Sequence, residues 1–339
     1  MPITRSFTNQ YEVTDLTQEL LIVPNTWGLI NELGIFGTPV SVAQNAITME
    51  LSNRTLSVIP DMPRGARTLV NKDDNRQIAA YALTHHPLDD RLTAQDLAGK
   101  RAYGSADQAE TEAAALARKL QRIRMNHAIT LEAARAYTIT TGQQYAPNGT
   151  VSANFYTDFG ITRTEIDFAL GTATTSVLSK SEQAIAQIQD NLLSGEVAGG
   201  IVALCSPGFF NKLINQAGIA DAYKYYTSTQ EPLRQRLGSG LYRRFQHGGV
   251  EYIEYRGTYN GSPLIPAGDA YFLPTGTMDM FQTFVGPANK LSFVNTLGEE
   301  AYVWTYRDAK DEAVEIESES NFLNLIRRPA AVVRAFSSN

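Results

Sequence analysis

The chain has 339 residues with a formal net charge of −6, an isoelectric point near 5.4 and a single cysteine, Cys205. The acidic balance argues against a surface specialised for polyanions, and one cysteine excludes an intramolecular disulfide. No run of ~18 consecutive apolar residues occurs, so no membrane span is expected. Because a single hydrophobic core stops growing at about 250–300 residues, we expect two lobes or an elongated body.

The first hundred residues predict short elements and one long hairpin. A short helix is predicted around residues 27–33, and residues 46–60 predict two short strands with a turn near Ser52. The next segment predicts a long hairpin whose strands flank a charged tip at residues 72–76. A two-stranded hairpin is marginal by itself in water, so we expect it to lie on another subunit.

A long helix is the clearest element of the sequence. Residues 105–141 contain neither glycine nor proline, and their apolar residues recur at helical spacing. Ser105 and Gln108 predict a capping box at its start, and Gly142 predicts its end. A helix of about 31 residues is ~46 Å long, whereas a compact chain of this size has a radius of gyration of ~20 Å. We therefore predict a flat or elongated molecule with this helix as its spine.

The second half of the chain alternates helices and strands, which predicts an α+β fold. We predict a hairpin over residues 142–161, a helix over 179–193, and a buried strand followed by a helix over 199–218. Further strands are predicted at residues 251–255, 270–273, 280–285 and 314–319. In the last of these, Val314 and Ile316 alternate with Glu315, Glu317 and Glu319, which predicts one apolar and one acidic face.

A search for catalytic chemistry finds one weak pair. Cys205 and His247 would form a Cys–His pair if the fold brought them together, which is the enzyme alternative. Cys205 ends the apolar run 199–205, however, where a free cysteine packs as a small hydrophobe, and we favour that interpretation. The four histidines show no metal-binding spacing and the glycine-rich stretches fit no nucleotide-binding pattern. We expect no catalytic residue, no metal and no cofactor.

Charged clusters are predicted to be solvated or to contact other subunits. The acidic ones are Asp73-Asp74, Asp89-Asp90 and the Glu315, Glu317 and Glu319 face, and the basic one is Arg118, Lys119, Arg122 and Arg124 on the long helix. Paired carboxylates could also serve acid–base chemistry or bind calcium. Their positions on a loop tip and on a regular strand favour the structural interpretation.

Several short motifs, taken in order, resemble those of lambda-like phage major capsid proteins, the major capsid protein E family. They are residues 33–36, 59–60 with 63–65, 273–277, 286–288, 294–298 with Tyr302, 320–323, 328–329 and 331–333. The resemblance extends along nearly the whole chain, and the order of the motifs carries it. One departure is Phe322, where the family would favour proline.

The resemblance implies the HK97-like phage capsid fold, an α+β architecture. It implies an N-terminal arm at residues 1–48, an extended β-hairpin loop with its flanks at 49–100, a peripheral domain with the spine helix at 101–178 and 306–339, and an axial domain at 179–305. Contacts between subunits are expected on the loop, where charge complementarity would set the register of neighbouring copies. The expected contact residues are Arg64, Gly65, Arg67, Lys72, Asp73, Asp74 and Arg76.

The resemblance also implies a function. It is that of the major capsid protein of a tailed bacteriophage, which self-assembles into hexamers and pentamers of an icosahedral shell around the DNA genome. The implied partners are further copies of the chain, a scaffold, a portal, a maturation protease and decoration proteins, with packaged DNA contacted non-specifically and no membrane. Assembly is expected in the host cytoplasm. A shell protein of a non-viral compartment is the alternative, together with the Cys205/His247 enzyme.

Overall fold

The computed structural model describes residues 14–15, 28–52, 76–98, 111–149, 153–192, 198–220, 242–259, 261–277 and 279–338. Its helices are α1 (Leu29–Glu32), α2 (Ala94–Leu97), α3 (Glu112–Thr141), α4 (Phe155–Asp158), α5 (Val177–Asp190) and α6 (Pro207–Asn215), with 3-10 turns at Leu291–Phe293 and Pro329–Ala331. Among these helices, none combines the length and apolar character needed to cross a bilayer.

Most strands belong to two six-stranded sheets. The strands are β1 (Thr14–Asp15), β2 (Val40–Ser41), β3 (Ala46–Ser52), β4 (Arg76–Ala82), β5 (Thr84–Thr93), β6 (Thr164–Asp167), β7 (Gly200–Cys205), β8 (Arg244–His247), β9 (Val250–Glu254), β10 (Thr258–Tyr259), β11 (Ser262–Pro263), β12 (Asp269–Thr275), β13 (Phe281–Val285), β14 (Tyr302–Arg307), β15 (Ala313–Ile326) and β16 (Val333–Phe336). The strands predicted at residues 251–255, 270–273 and 280–285 are thus confirmed within two residues, whereas the strand predicted at 314–319 begins at Ala313 and continues to Ile326.

The first sheet is organised around β15, its longest strand. β5 pairs antiparallel along one edge of β15, while β14 and then β13 pair antiparallel along the other edge. Glu319 shows this arrangement, since it lies opposite both Pro87 and Tyr302. β1 extends the sheet beyond β14 and β2 extends it beyond β13. The sheet therefore joins strands from the two ends of the chain.

The spine helix α3 lies on this sheet and spans 30 residues, which corresponds to ~45 Å. Two apolar clusters join the helix to the sheet: Leu120 and Ile123 pack with Val303 and Ile316, and Leu131 and Ala134 pack with Val285 and Phe322. The predicted end is confirmed, because Gly142 adopts φ 68° and donates its N–H to the Thr138 carbonyl.

The predicted start of the spine helix is wrong. The helix begins at Glu112, after Thr111 in extended conformation, and the Thr111 hydroxyl accepts a hydrogen bond from the Ala114 N–H. Thr111 therefore serves as the N-cap and satisfies one of the free N–H groups of the first turn. The predicted capping residues Ser105 and Gln108 lie outside the described residues.

The second sheet has the strand order β6-β16-β12-β7-β9-β8 and packs on α5 and α6. Its core contains Phe272 of β12 and Phe245 of β8, with Ala184 and Ile188 of α5 and Phe209 of α6. The predicted strand–helix unit is confirmed here. Ser206 caps α6 by accepting from the Phe209 N–H, and proline occupies the first turn.

Two predicted turns differ from the structure. Ser52 is still paired, opposite Arg76, so the partner of β3 is β4 rather than the segment that follows Ser52 directly. Among the described residues of the predicted hairpin over 142–161, an isolated bridge joins Gln143 and Asn154. The Asn154 side chain then accepts from the backbone of Tyr156 and Thr157, which caps the helical turn α4 where a strand was predicted.

The two sheets cross the predicted domain boundaries. β13 lies within the predicted axial range 179–305 and β14 begins in it, yet both pair in the first sheet, with β15. β6 and β16 lie within the predicted peripheral ranges, yet both pair in the second sheet. The division of the chain into arm, loop, peripheral and axial domains stays a prediction.

Candidate assembly surfaces

The structure separates the two residues of the enzyme alternative. Cys205 lies opposite Glu254 on one edge of β9, whereas His247 lies opposite Val250 on its other edge. Two strand spacings of ~5 Å and four residues of ~3.3 Å place the pair ~16 Å apart, too far for a proton transfer. Cys205 is fully buried, and burial raises the pKa of its thiol well above the usual value.

A buried carboxylate joins three parts of the molecule. Glu132 of α3 accepts hydrogen bonds from the backbone N–H groups of Ile30 at 2.8 Å and Asn31 at 3.1 Å, which belong to α1. It also accepts from the Tyr255 hydroxyl at 2.6 Å, directly after β9 of the second sheet. Burial raises the pKa of Glu132. One side chain thus fixes α1 and the second sheet to the spine helix.

Arg135 extends this junction toward the first sheet. Its guanidinium is buried and donates to the Asn31 side-chain oxygen at 3.0 Å and to the Thr283 hydroxyl of β13. Glu132 and Arg135 lie three residues apart on one face of α3, so their opposite charges attract each other inside the protein. This pair was not predicted from the sequence. A lone glutamate and arginine among the alanines of residues 128–136 were the available signal.

His127 is a buried histidine of the spine helix. Its Nε2 lies 3.0 Å from the Ser318 hydroxyl, which itself donates to the Leu88 carbonyl at 2.5 Å. Since that hydroxyl proton is used, the serine oxygen accepts and Nε2 carries the hydrogen of the neutral ring. Burial lowers the pKa of His127 to about 4.

A second histidine lies close to the spine helix. His86 of β5 stacks on Phe322 with ring centroids 4.6 Å apart, and burial lowers the pKa of His86 to about 4. Phe322 is the position at which the sequence departs from the family pattern. Its ring therefore has a packing role in this chain, as a partner of the imidazole.

Several residues of the charged clusters pair within the chain, although Asp89, Arg118, Arg122 and Glu317 are exposed to solvent, as predicted. Glu315 binds Arg91 at 2.8 Å and Glu317 binds Lys290 at 3.0 Å. Glu319 is buried and accepts from the Asn289 N–H at 2.5 Å. On the helix, Lys119 binds Asp90 at 2.7 Å and the buried Arg124 binds Glu300 at 2.7 Å.

Most residues predicted to contact other subunits fall outside the described part of the chain. These are Arg64, Gly65, Arg67, Lys72, Asp73 and Asp74. Arg76 opens β4, and β3 and β4 pair without interruption from Ala46–Ala82 to Ser52–Arg76. Tyr81 anchors the base of this hairpin, with its ring 5.6 Å from that of Phe155.

Comparison with known proteins identifies the family. Residues 12–337 match the sequence pattern of the family described as Phage major capsid protein E. The chain belongs to this family. It is 44% identical over 344 residues to the major capsid protein of Pseudomonas phage KPP10, with 97% of each chain covered. This capsid protein is therefore a structural component of the virion capsid that acts as a homo-oligomer, and it is not an enzyme.

Solved structures show the same fold. A protein described as a capsid protein of a prophage in E. coli CFT073 aligns with a TM-score of 0.60 and 10% identity, covering 96% of this chain and 100% of that one. The mature capsid of bacteriophage PhiM1 aligns with a TM-score of 0.52 and 16% identity, covering 89% and 85%. The predicted α+β, HK97-type capsid fold is thereby confirmed.

Proposed function

We propose that this capsid protein assembles into hexamers and pentamers of an icosahedral shell that encloses the DNA genome of a tailed phage. The observation that carries the proposal is the match to a phage major capsid protein along 97% of the chain. That match covers the spine helix, both sheets and the β3–β4 hairpin. A closed shell multiplies modest contacts between copies, so no single contact has to be strong.

Electron microscopy combined with sedimentation tests this proposal directly. The purified protein, alone and coexpressed with the neighbouring genes of its phage, is imaged and sedimented over a range of concentrations. We expect shells, tubes or ring-shaped capsomers whose amount rises with concentration. A subunit that stays monomeric in every combination would contradict the proposal.

The extended loop is proposed as a main contact between copies, as the resemblance to the family implies. Its described part is the β3–β4 hairpin, and an isolated pair of strands needs a surface to lie on. We expect reversal of the loop-tip charges, Asp73→Lys with Asp74→Lys, to reduce assembly without changing subunit stability. Glu182→Lys on the exposed side of α5 is the matched control, and equal assembly of both variants would refute the loop-tip contact.

Partners beyond further copies belong to the same proposal. A scaffold, a portal, a maturation protease and decoration proteins of the same phage would act on the growing shell in the host cytoplasm. The net charge of −6 suits a container that holds DNA without binding it tightly. We expect the shells to bind DNA only weakly at low salt. Binding as strong as that of a basic protein would contradict this expectation.

A further inference from the structure

Three apolar side chains face solvent on the segment that connects β13 and β14. Leu291 is 95% exposed, Leu297 is 67% exposed and Val294 is 59% exposed. These are the highest exposures among the large apolar side chains of the described residues. We call these three residues the apolar loop patch. A single exposed leucine is ordinary, but several within seven residues form a surface that usually has a partner.

The patch is held in place by contacts within the chain. Phe293, which lies between the exposed residues, points inward and packs edge-on against Tyr302 at 5.2 Å and Trp304 at 5.7 Å. At its end, Gly298 donates its N–H to the Val42 carbonyl at 3.0 Å. A Cβ at Gly298 would lie 2.3 Å from the Val285 carbonyl oxygen, so this close approach requires glycine. The exposed side chains are thus preorganised for binding.

The composition of the surface also fits a protein–protein contact. Residues 291–298 contain no charged side chain. Beside them lies a cleft of about 420 Å³, lined in part by Ala43, Pro287 and Val294. Lys290 also borders the cleft, but its ammonium lies 3.9 Å from the Trp304 ring centroid and bonds to Glu317. Depletion of charge within residues 291–298 is typical of the centre of an interface, and the exposed Glu299 directly after them lies at its edge.

We infer that the apolar loop patch binds a second copy of this chain in the shell. The inference rests on the proposed function, because a shell surrounds each subunit with further copies. The cleft continues into residues 43–45, directly before β3, so the patch adjoins the hairpin that is proposed to reach neighbouring copies. Head-to-tail contacts between copies join different surfaces of the two partners, so the patch need not be self-complementary.

Thiol labelling tests whether a second copy covers the patch. The variant Leu291→Cys carries one accessible thiol within the described residues, because the native Cys205 is fully buried. We expect maleimide to label the free subunit rapidly, and to label the assembled shell at least ~10-fold more slowly, as a covered thiol requires. Shells that are then dissociated should regain the rapid rate.

The other outcomes of labelling overturn the inference. Equal rates in subunit and shell mean that the patch faces solvent or awaits a different protein. Slow labelling of the free subunit means that the chain covers its own patch. If the wild-type protein forms no assemblies under any condition, the proposed function fails and the inference falls with it.

Assembly of serine variants provides a second measurement. We expect Leu291→Ser combined with Val294→Ser to raise the concentration required for assembly by ~10-fold, which is about 1.4 kcal/mol. The thermal midpoint of the subunit should stay unchanged, because both side chains contact solvent. Leu178→Ser on α5 is the matched control, since Leu178 is 45% exposed and lies in the other half of the fold. Unchanged assembly of the double variant would contradict the inference.

Discussion

His127 should make the capsid protein lose stability in mild acid. In the unfolded chain a histidine takes up a proton near pH 6.5, whereas burial lowers the pKa of folded His127 to about 4. Between these values the unfolded state binds a proton at His127 and the folded state does not. The free energy of unfolding therefore falls as the pH falls from about 6.5 to about 4. Each pH unit in that window is worth ~1.4 kcal/mol, which gives a total of ~3 kcal/mol.

The variant His127→Gln isolates this contribution. Glutamine cannot take up the proton, and its amide can still donate to Ser318 from a position close to that of Nε2. We expect the variant to be less stable than wild type near neutral pH because of altered packing. Its stability should fall less steeply on acidification, so that the difference between the two proteins shrinks by ~3 kcal/mol.

Urea unfolding of the unassembled subunit, followed by circular dichroism at a series of pH values, measures the effect. Carboxylates distant from His127 titrate in both proteins, so their contributions cancel in the difference. His247→Gln on β8 is the comparison variant: burial also lowers the pKa of half-buried His247, but less than that of His127, so this variant should change the slope less. Parallel stability curves for wild type and His127→Gln would refute the reasoning.

Two further predictions concern the buried junction at Glu132. Glu132→Gln keeps one oxygen for Ile30 and Tyr255 but places an NH₂ group against the Asn31 N–H, so we expect a loss of ~2–3 kcal/mol in urea unfolding. Glu182→Gln, on the exposed side of α5, should cost almost nothing. Gly28→Ala should lower the thermal midpoint strongly, because Gly28 has φ 92° and a Cβ would lie 2.1 Å from the Glu132 carboxyl carbon. Gly34→Ala is the control with φ 62° and open space, and equal effects of the two alanines would show that the carboxylate does not matter.

The elements that sequence reasoning predicted best are those with local causes. The spine helix follows from a stretch without glycine or proline, and its end follows from Gly142. The strand–helix unit follows from an apolar run and from Pro207 in the first turn of the helix. Each of these signals depends on residues that are close together in the sequence, so it can be recognised without knowing the fold.

Some errors have long-range causes, whereas the start of the spine helix is set locally by Thr111. Whether β3 pairs with the next segment or with β4 depends on which strand meets it in space, and both segments have similar strand propensity. The intramolecular partners of buried charged residues were missed for the same reason. Arg124 forms a hydrogen bond with Glu300, 176 residues away in the sequence, and Glu132 forms one with Ile30, 102 residues away. Sequence spacing reveals neighbours on one helix, but it does not reveal partners across the fold.

The placement of polar and apolar groups suits a protein that must repeat one shape. Buried polar contacts such as that of Glu132 are directional, so they fix the angle between α1, the spine helix and the second sheet more strictly than apolar packing does. The apolar loop patch, by contrast, exposes only three side chains. A modest contact can dissociate when two copies meet wrongly, whereas its repetition around a closed shell makes the finished assembly stable. Enlarging the patch should therefore give faster association but more malformed particles, and a count of closed shells by electron microscopy measures that balance.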